Sequence, residues 1–144
     1  MKVLVVHGPN LNLLGTREVS VYGRLSLDQV NQLLAREAAE LDVSLEVHQT
    51  AREGEIIELL HAASGEAGGA LVNPAAYSHT SRAIAEAVDA VDYPVVEVHL
   101  TNIHAREPWR AASVTAGSCA GIVAGFGAHS YTVALRALTS LARD

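Results

Sequence analysis

One cysteine, Cys119, and one lysine, Lys2, are all that 144 residues contain of those two types. A lone thiol closes no internal disulfide and builds no cysteine-rich zinc site. A reduced, cytoplasmic setting is therefore the expectation. Lys2 opens the first apolar run, at the end of a strand opposite any expected site, which argues against Schiff-base chemistry. No apolar run approaches the roughly 18 residues of a membrane span, so no membrane is expected. The N-terminal run reads as a buried strand rather than a signal peptide. Lys and Arg number 10 against 16 Asp and Glu, a formal charge of -6, which opposes a nucleic-acid surface. Aromatics are only 4% of the chain, so each Tyr and the single Trp109 invite a specific role.

Motifs are missing too. Neither G-x-G-x-x-G after the first strand nor G-x-x-x-x-G-K-[ST] occurs, which removes the common nucleotide sites. Gly125-Phe126-Gly127 follows the last strand and is weak. Seven histidines invite a metal, but none fits H-E-x-x-H; His99 and His104 are five apart. A three-histidine site from distant positions, and with it a metal-dependent hydrolase, stays open as an alternative.

What is present is apolar: 49% of residues, with a mean hydropathy of +0.20. Parallel strands buried on both faces account for part of this, and subunit interfaces for more, so an oligomer is expected. The length suits one domain over 1–144. Lys2 to His7 reads as a buried strand, followed by a long loop over 11–24 holding Gly15 and Gly23. Ser26 and Gln29 form a capping box, and Leu27, Val30, Leu33, Leu34 and Leu41 mark the apolar face of the helix they start. Val43, Leu45 and Val47 alternate as a half-buried strand. A helix follows over 53–63, with Ile56, Leu59, Leu60 and Ala63 on one side. Gly68-Gly69 reads as a break before the short strand Ala70 to Val72. A helix over 80–91, a strand opened by Pro94, an irregular segment over 101–116, a strand over 121–124 and a helix over 131–141 complete the chain, the last with Leu135, Leu138 and Leu141 inward. Five β-α repeats predict an α/β fold, a flavodoxin-like parallel sheet of order 2-1-3-4-5 with helices on both faces.

In such sheets ligands bind outside the carboxyl ends of the strands. Asn10, Asn73 and His99 end three strands there, and the two long loops bring Arg17, Tyr22, Arg106 and Arg110 to the same edge. Three Arg on one rim of an acidic chain suit a carboxylate ligand, because the guanidinium fork matches two oxygens. Each residue has a plainer reading: Asn10 and Asn73-Pro74 suit turns, an exposed Arg is usually solvated, and Ser78 and Ser81 beside His79 suit helix caps. Convergence favours a site. Glu97 and His99 share a strand face, where a carboxylate fixes the imidazole tautomer and favours its protonated form. Glu97 could equally be a paired structural charge.

These residues resemble the type II 3-dehydroquinate dehydratases over almost the whole chain. The likeness runs through Gly8-Pro9-Asn10-Leu11-Asn12-Leu13-Leu14-Gly15, Arg17-Glu18 and Tyr22-Gly23. It resumes at Gln49, Glu53-Gly54-Glu55 and His61, and at Asn73-Pro74-Ala75-Ala76-Tyr77-Ser78-His79-Thr80-Ser81. It is strongest at Glu97-Val98-His99-Leu100-Thr101-Asn102-Ile103-His104-Ala105-Arg106-Glu107 with Arg110. The resemblance implies a cofactor-free and metal-free lyase converting 3-dehydroquinate to 3-dehydroshikimate by anti elimination through an enolate, in the shikimate or quinate pathway. It implies Tyr22 as base, Arg17 as its activating neighbour, Asn10 as holder of a water against the enolate, and His99 as general acid beside Glu97. It implies substrate binding by Asn73, His79 and Arg110, carboxylate binding by Leu100 and Thr101, and a lid arginine, Arg106. It also implies a dodecamer of four trimers in which Glu86 reaches a neighbouring site. A guanidinium near a phenol favours the phenolate, which is the sense of the Arg17–Tyr22 pairing. Departures from the family pattern include His7, Val19, Ala51, Ala75, Glu86, Thr101, Pro108 and Ala112. They leave a second expectation, a weakly active paralogue that binds a related cyclic carboxylate.

Overall fold

Alternation along the strands decides which helix covers which face of the sheet. The computed structural model describes residues 1–16 and 18–144. Its strands are β1 (Lys2–His7), β2 (Ser44–Gln49), β3 (Ala67–Asn73), β4 (Val95–His99) and β5 (Gly121–Ala124). All pair in parallel in the order 2-1-3-4-5. The helices are α1 (Val19–Tyr22), α2 (Leu27–Leu41), α3 (Glu53–Ala62), α4 (Arg82–Ala90) and α5 (His129–Arg143). Val3, Val5, Leu71, Val96 and Val98 face α2 and α5, while Leu4, Val6, Ala70, Val72 and Val95 face α3 and α4. Successive side chains point to opposite faces, so each inner strand feeds both cores and must be apolar throughout. Each fully buried Leu or Val contributes roughly 1.5–3 kcal/mol.

Local signals hold where they rest on short-range bonding. The capping box forms: Gln29 N–H donates to Ser26 Oγ at 3.2 Å and Ser26 N–H donates to Gln29 Oε1 at 2.9 Å. Val30, Leu34 and Ala38 then bury one stripe of α2. Ser81 caps α4, accepting from Ile84 N–H at 3.0 Å.

Three expectations change. Gly68-Gly69 does not break the chain; both residues lie inside β3. The pairing register with β1 slips by one residue there, and a Cβ on Gly69 would sit 2.8 Å from Leu138 Cδ1. The glycine thus seats α5 on the strand backbone. Val47 is 37% exposed because β2 is an edge strand. Leu141 is 49% exposed, in a last turn of α5 that is exposed throughout, whereas Leu135 and Leu138 are fully buried. Among the described residues no helix is long and apolar enough to cross a membrane.

Candidate active site

The order 2-1-3-4-5 reverses direction at β1 and β3, and a crevice opens beyond their carboxyl ends. Gly8 makes the close approach there. Its N–H donates to Asn73 O at 2.8 Å, and a Cβ in its place would lie 2.8 Å from that oxygen and from the Pro74 carbonyl carbon. The chain then turns through Asn10 at φ 69°, a left-handed value that Asn tolerates better than most residues. After β3, Asn73 Oδ1 accepts from Ala75 N–H at 3.0 Å. This holds Ala75 at φ 53°, where glycine would be unstrained.

The resulting cleft has a volume of about 130 Å³. Asn10, Tyr22, Asn73, His79 and His99 line it, with Leu100, Thr101, Arg106 and Arg110. Such a volume suits one small ring rather than a nucleotide. A larger hollow of about 630 Å³ adjoins it and shares Tyr22, Leu100, Thr101 and Arg106, but its other walls include Leu14, Val19, Val21, Leu25 and Phe126. The polar groups that could move protons or orient a ligand meet in the smaller one, which we take as the site.

Strand parity sends the site residues in from both faces of the sheet. Glu97 and His99 lie on the α3/α4 side and Asn73 on the α2/α5 side. Glu97 is fully buried and His99 nearly so. His99 Nε2 donates to Glu97 Oε2 at 2.9 Å, Ser113 Oγ donates to the same oxygen at 2.8 Å, and Thr115 Oγ1 donates to Glu97 Oε1. Burial alone would raise the Glu97 pKa. The bonds from His99 and Thr115, the charge of His99 and the Ser113 hydroxyl outweigh it and hold the carboxyl below its usual range. The bond to Glu97 fixes the His99 proton on Nε2 and leaves Nδ1 as the ring's other working nitrogen.

The segment after β4 supplies the cations. The Arg106 guanidinium lies over the Tyr22 ring, 5.0 Å from its centroid, and Nη1 reaches Thr101 Oγ1 at 3.5 Å. Arg110 stacks on Trp109 at 4.1 Å while its Nε donates to Glu107 Oε2 at 2.7 Å. His79 Nδ1 donates to the Ala112 carbonyl at 2.8 Å, which leaves Nε2 as an acceptor in the neutral ring. Tyr22 comes from the single turn α1 at the end of the first long loop.

Glu97 stands behind His99 rather than in the cleft's lining. Two further expected residues stand apart. Arg17 lies outside the described residues. Glu86 is exposed on α4 and is not among the residues lining this cleft. Lys2 pairs with Glu46 at 2.9 Å at the far end of β1. Among the described residues no group of three or more His, Cys, Asp or Glu is placed to hold a metal ion.

Sequence reasoning missed Ser113 and Thr115. The signal was available: a buried carboxylate in an apolar strand needs donors, and a Ser-x-Thr lies in the following loop. It also missed His7, Tyr131 and Asn31 behind Asn73. Tyr131 Oη is 2.9 Å from His7 Nδ1, and His7 Nε2 is 2.8 Å from Asn31 Oδ1.

Burial pushes the His7 pKa down to about 4, against the raising effect of its bond to Asn31. The unfolded chain takes a proton at His near pH 6.5, which the folded chain refuses until about pH 4. Stability is therefore lost as pH falls through that window, by about 3 kcal/mol in all. Glu97 acts in the same direction, since the contribution of a carboxyl held low is lost as it protonates. Urea titrations at pH 7 and pH 4.5 are expected to show this fall. His7→Gln should flatten it by about 2 kcal/mol; an unchanged slope would count against the assignment.

The chain resembles known proteins along nearly its whole length. The family model for dehydroquinase class II matches residues 1–139. The 3-dehydroquinate dehydratase of Thermoanaerobacter pseudethanolicus is 49% identical over 140 residues, covering 97% of this chain and 95% of that protein. That of Geotalea daltonii is 50% identical over 138 residues, covering 96% of each. The crystal structure of a type II dehydroquinase from Butyrivibrio crossotus superposes with a TM-score of 0.94 at 36% identity, covering 96% of this chain and 97% of that one.

Proposed function

The chain belongs to the type II dehydroquinase family, and we propose that it dehydrates 3-dehydroquinate to 3-dehydroshikimate by anti elimination through an enolate, without a Schiff base or a metal. The observation that carries this is the meeting of Tyr22, Asn10, Asn73 and His99 with Arg106 and Arg110 in one cleft.

Loss of water from a cyclic ketone needs a proton removed beside the carbonyl. In this reading Tyr22 removes it as phenolate, with Arg17 stabilising that charge and Arg106 covering the ring. Asn10 holds a water that donates to the developing enolate oxygen. His99, oriented by Glu97, gives a proton to the departing hydroxyl. The Leu100 and Thr101 amides and the Thr101 hydroxyl take the carboxylate, while Asn73, His79 and Arg110 hold the ring. Closure of the loop bearing Tyr22 excludes water. An imine route would need an amine at the cleft, and Lys2 sits at the other end of β1.

The same proposal includes a dodecamer of four trimers in a cytoplasmic setting, with Glu86 completing a neighbouring site. Exposed Ile122, Phe126 and Val133, at 45%, 64% and 47%, support further burial between subunits. The exposed position of Glu86 on α4 is compatible with it.

Chelator-treated protein incubated with 3-dehydroquinate tests the activity. A rising ultraviolet absorbance from the conjugated enone is expected. Tight binding without that signal favours a weak paralogue. Activity lost with chelator and restored by metal favours a metal-dependent hydrolase.

A further inference from the structure

Asn73 is held at both ends of its amide, by Ala75 at the cleft and by Tyr131 behind it. The backbone N–H of Ala75 can only donate, so the Asn73 atom it meets at 3.0 Å must be the carbonyl oxygen Oδ1. The amide nitrogen then faces Tyr131 Oη at 3.1 Å and must donate to it. The buried phenol also needs an acceptor for its own proton, and its other partner, His7 Nδ1 at 2.9 Å, supplies one in the neutral ring. His7 Nδ1 is thus an acceptor, the ring is neutral, and Nε2–H donates to Asn31 Oδ1 at 2.8 Å. Reversing the Asn73 end would set donor against donor at Ala75. Reversing the Tyr131–His7 bond would instead leave the buried phenol proton without the acceptor it has there.

The relay draws on four elements. Asn31 comes from α2, His7 from β1, Tyr131 from α5 and Asn73 from β3. His7 and Tyr131 are fully buried and Asn73 is 3% exposed. With Oδ1 turned to Ala75 N–H and one amide hydrogen engaged by Tyr131, Asn73 keeps one oriented N–H for the cleft it lines.

We propose that Asn31, His7 and Tyr131 are positioning residues, which lock the Asn73 amide so that its free N–H is presented to the cleft and selects an acceptor oxygen, a hydroxyl or carbonyl, on a cyclic substrate. This rests on the dehydratase reading. The three residues touch no substrate; they act through Asn73. Without the Tyr131 hydroxyl, the Asn73 amide loses one of the two bonds that orient it.

The test is a double-mutant cycle with 3-dehydroquinate, on variants shown to be folded by thermal denaturation. Tyr131→Phe is expected to raise KM about tenfold, the scale of one hydrogen bond, with kcat within about threefold. In an Asn73→Ala background the same change is expected to move KM by less than about twofold, because the residue it acts through is gone. A purely structural role would instead give additive effects. Asn31→Ala, at the partly buried far end, should raise KM about threefold and also lose that effect in the Asn73→Ala background; it decides the matter if Tyr131→Phe does not fold. Folded variants with wild-type KM, or additive effects, overturn the proposal while the activity stands. A wild type without turnover overturns the dehydratase reading and this proposal with it.

Discussion

Tyr22→Phe is expected to lower kcat by about 10³-fold or more while leaving affinity for 3-dehydroquinate within about threefold. The phenol oxygen is the proposed base, and a positioned base contributes about 10²–10⁴-fold. The ring itself has a separate task. It receives the Arg106 guanidinium on its face, 5.0 Å from the centroid, and phenylalanine offers a comparable face. The lid contact and the binding it supports should therefore survive. Calorimetry with 3-dehydroquinate on the inactive variant measures the affinity, and the enone absorbance measures turnover. Turnover at the wild-type rate would sink the proposed mechanism, and a hundredfold loss of affinity would show that the hydroxyl chiefly binds.

Removing the proposed acid is the second large effect. His99→Ala is expected to cut kcat by about 10²–10⁴-fold. It should also destabilise the fold by about 1–3 kcal/mol, because Glu97 stays buried with one donor fewer. Ser113 and Thr115 still serve the carboxylate, which keeps that loss from being larger. The two readouts come apart if the reading is right: a denaturation midpoint moderately lowered, a rate nearly gone. Unchanged kcat in a folded variant would remove His99 from the chemistry.

Some of this was legible in the residues alone, and the boundary is physical. The Ser26–Gln29 capping box and the stripe through Val30 and Leu34 depend on neighbours within a few positions, and both are observed, with Ala38 added to the buried face. Gly68-Gly69 misled because glycine serves two purposes. It can end a strand, or it can remove a Cβ where another element sits close, and only the position of Leu138 distinguishes them. Leu141 kept helical spacing with Leu135 and Leu138 but falls in the exposed last turn of α5, which no periodicity reports. At the site, the strand ends Asn10, Asn73 and His99 were readable from topology. Glu97 was readable as a partner of His99; its hydroxyl donors, Ser113 and Thr115, were signalled only by the need of a buried carboxylate for them, and were missed.

By itself the sequence determined the β-α repeat, the order of the sheet, the family, and the edge where the polar residues gather. The repeat and the family follow from periodicity, turn residues and motif spacing, which act over short stretches; the order was chosen among the few topologies that right-handed crossovers allow, and the edge follows from it. Only the tertiary structure decided how those residues are held. Tyr131 meets His7 across 124 positions of chain and Asn73 across 58, and Arg106 covers Tyr22 from the opposite long segment. Partners so distant leave no periodic trace, since their pairing is set by which helix packs on which face of the sheet. The resemblance named Asn73 as a substrate-binding residue; the fold decided which way its amide points.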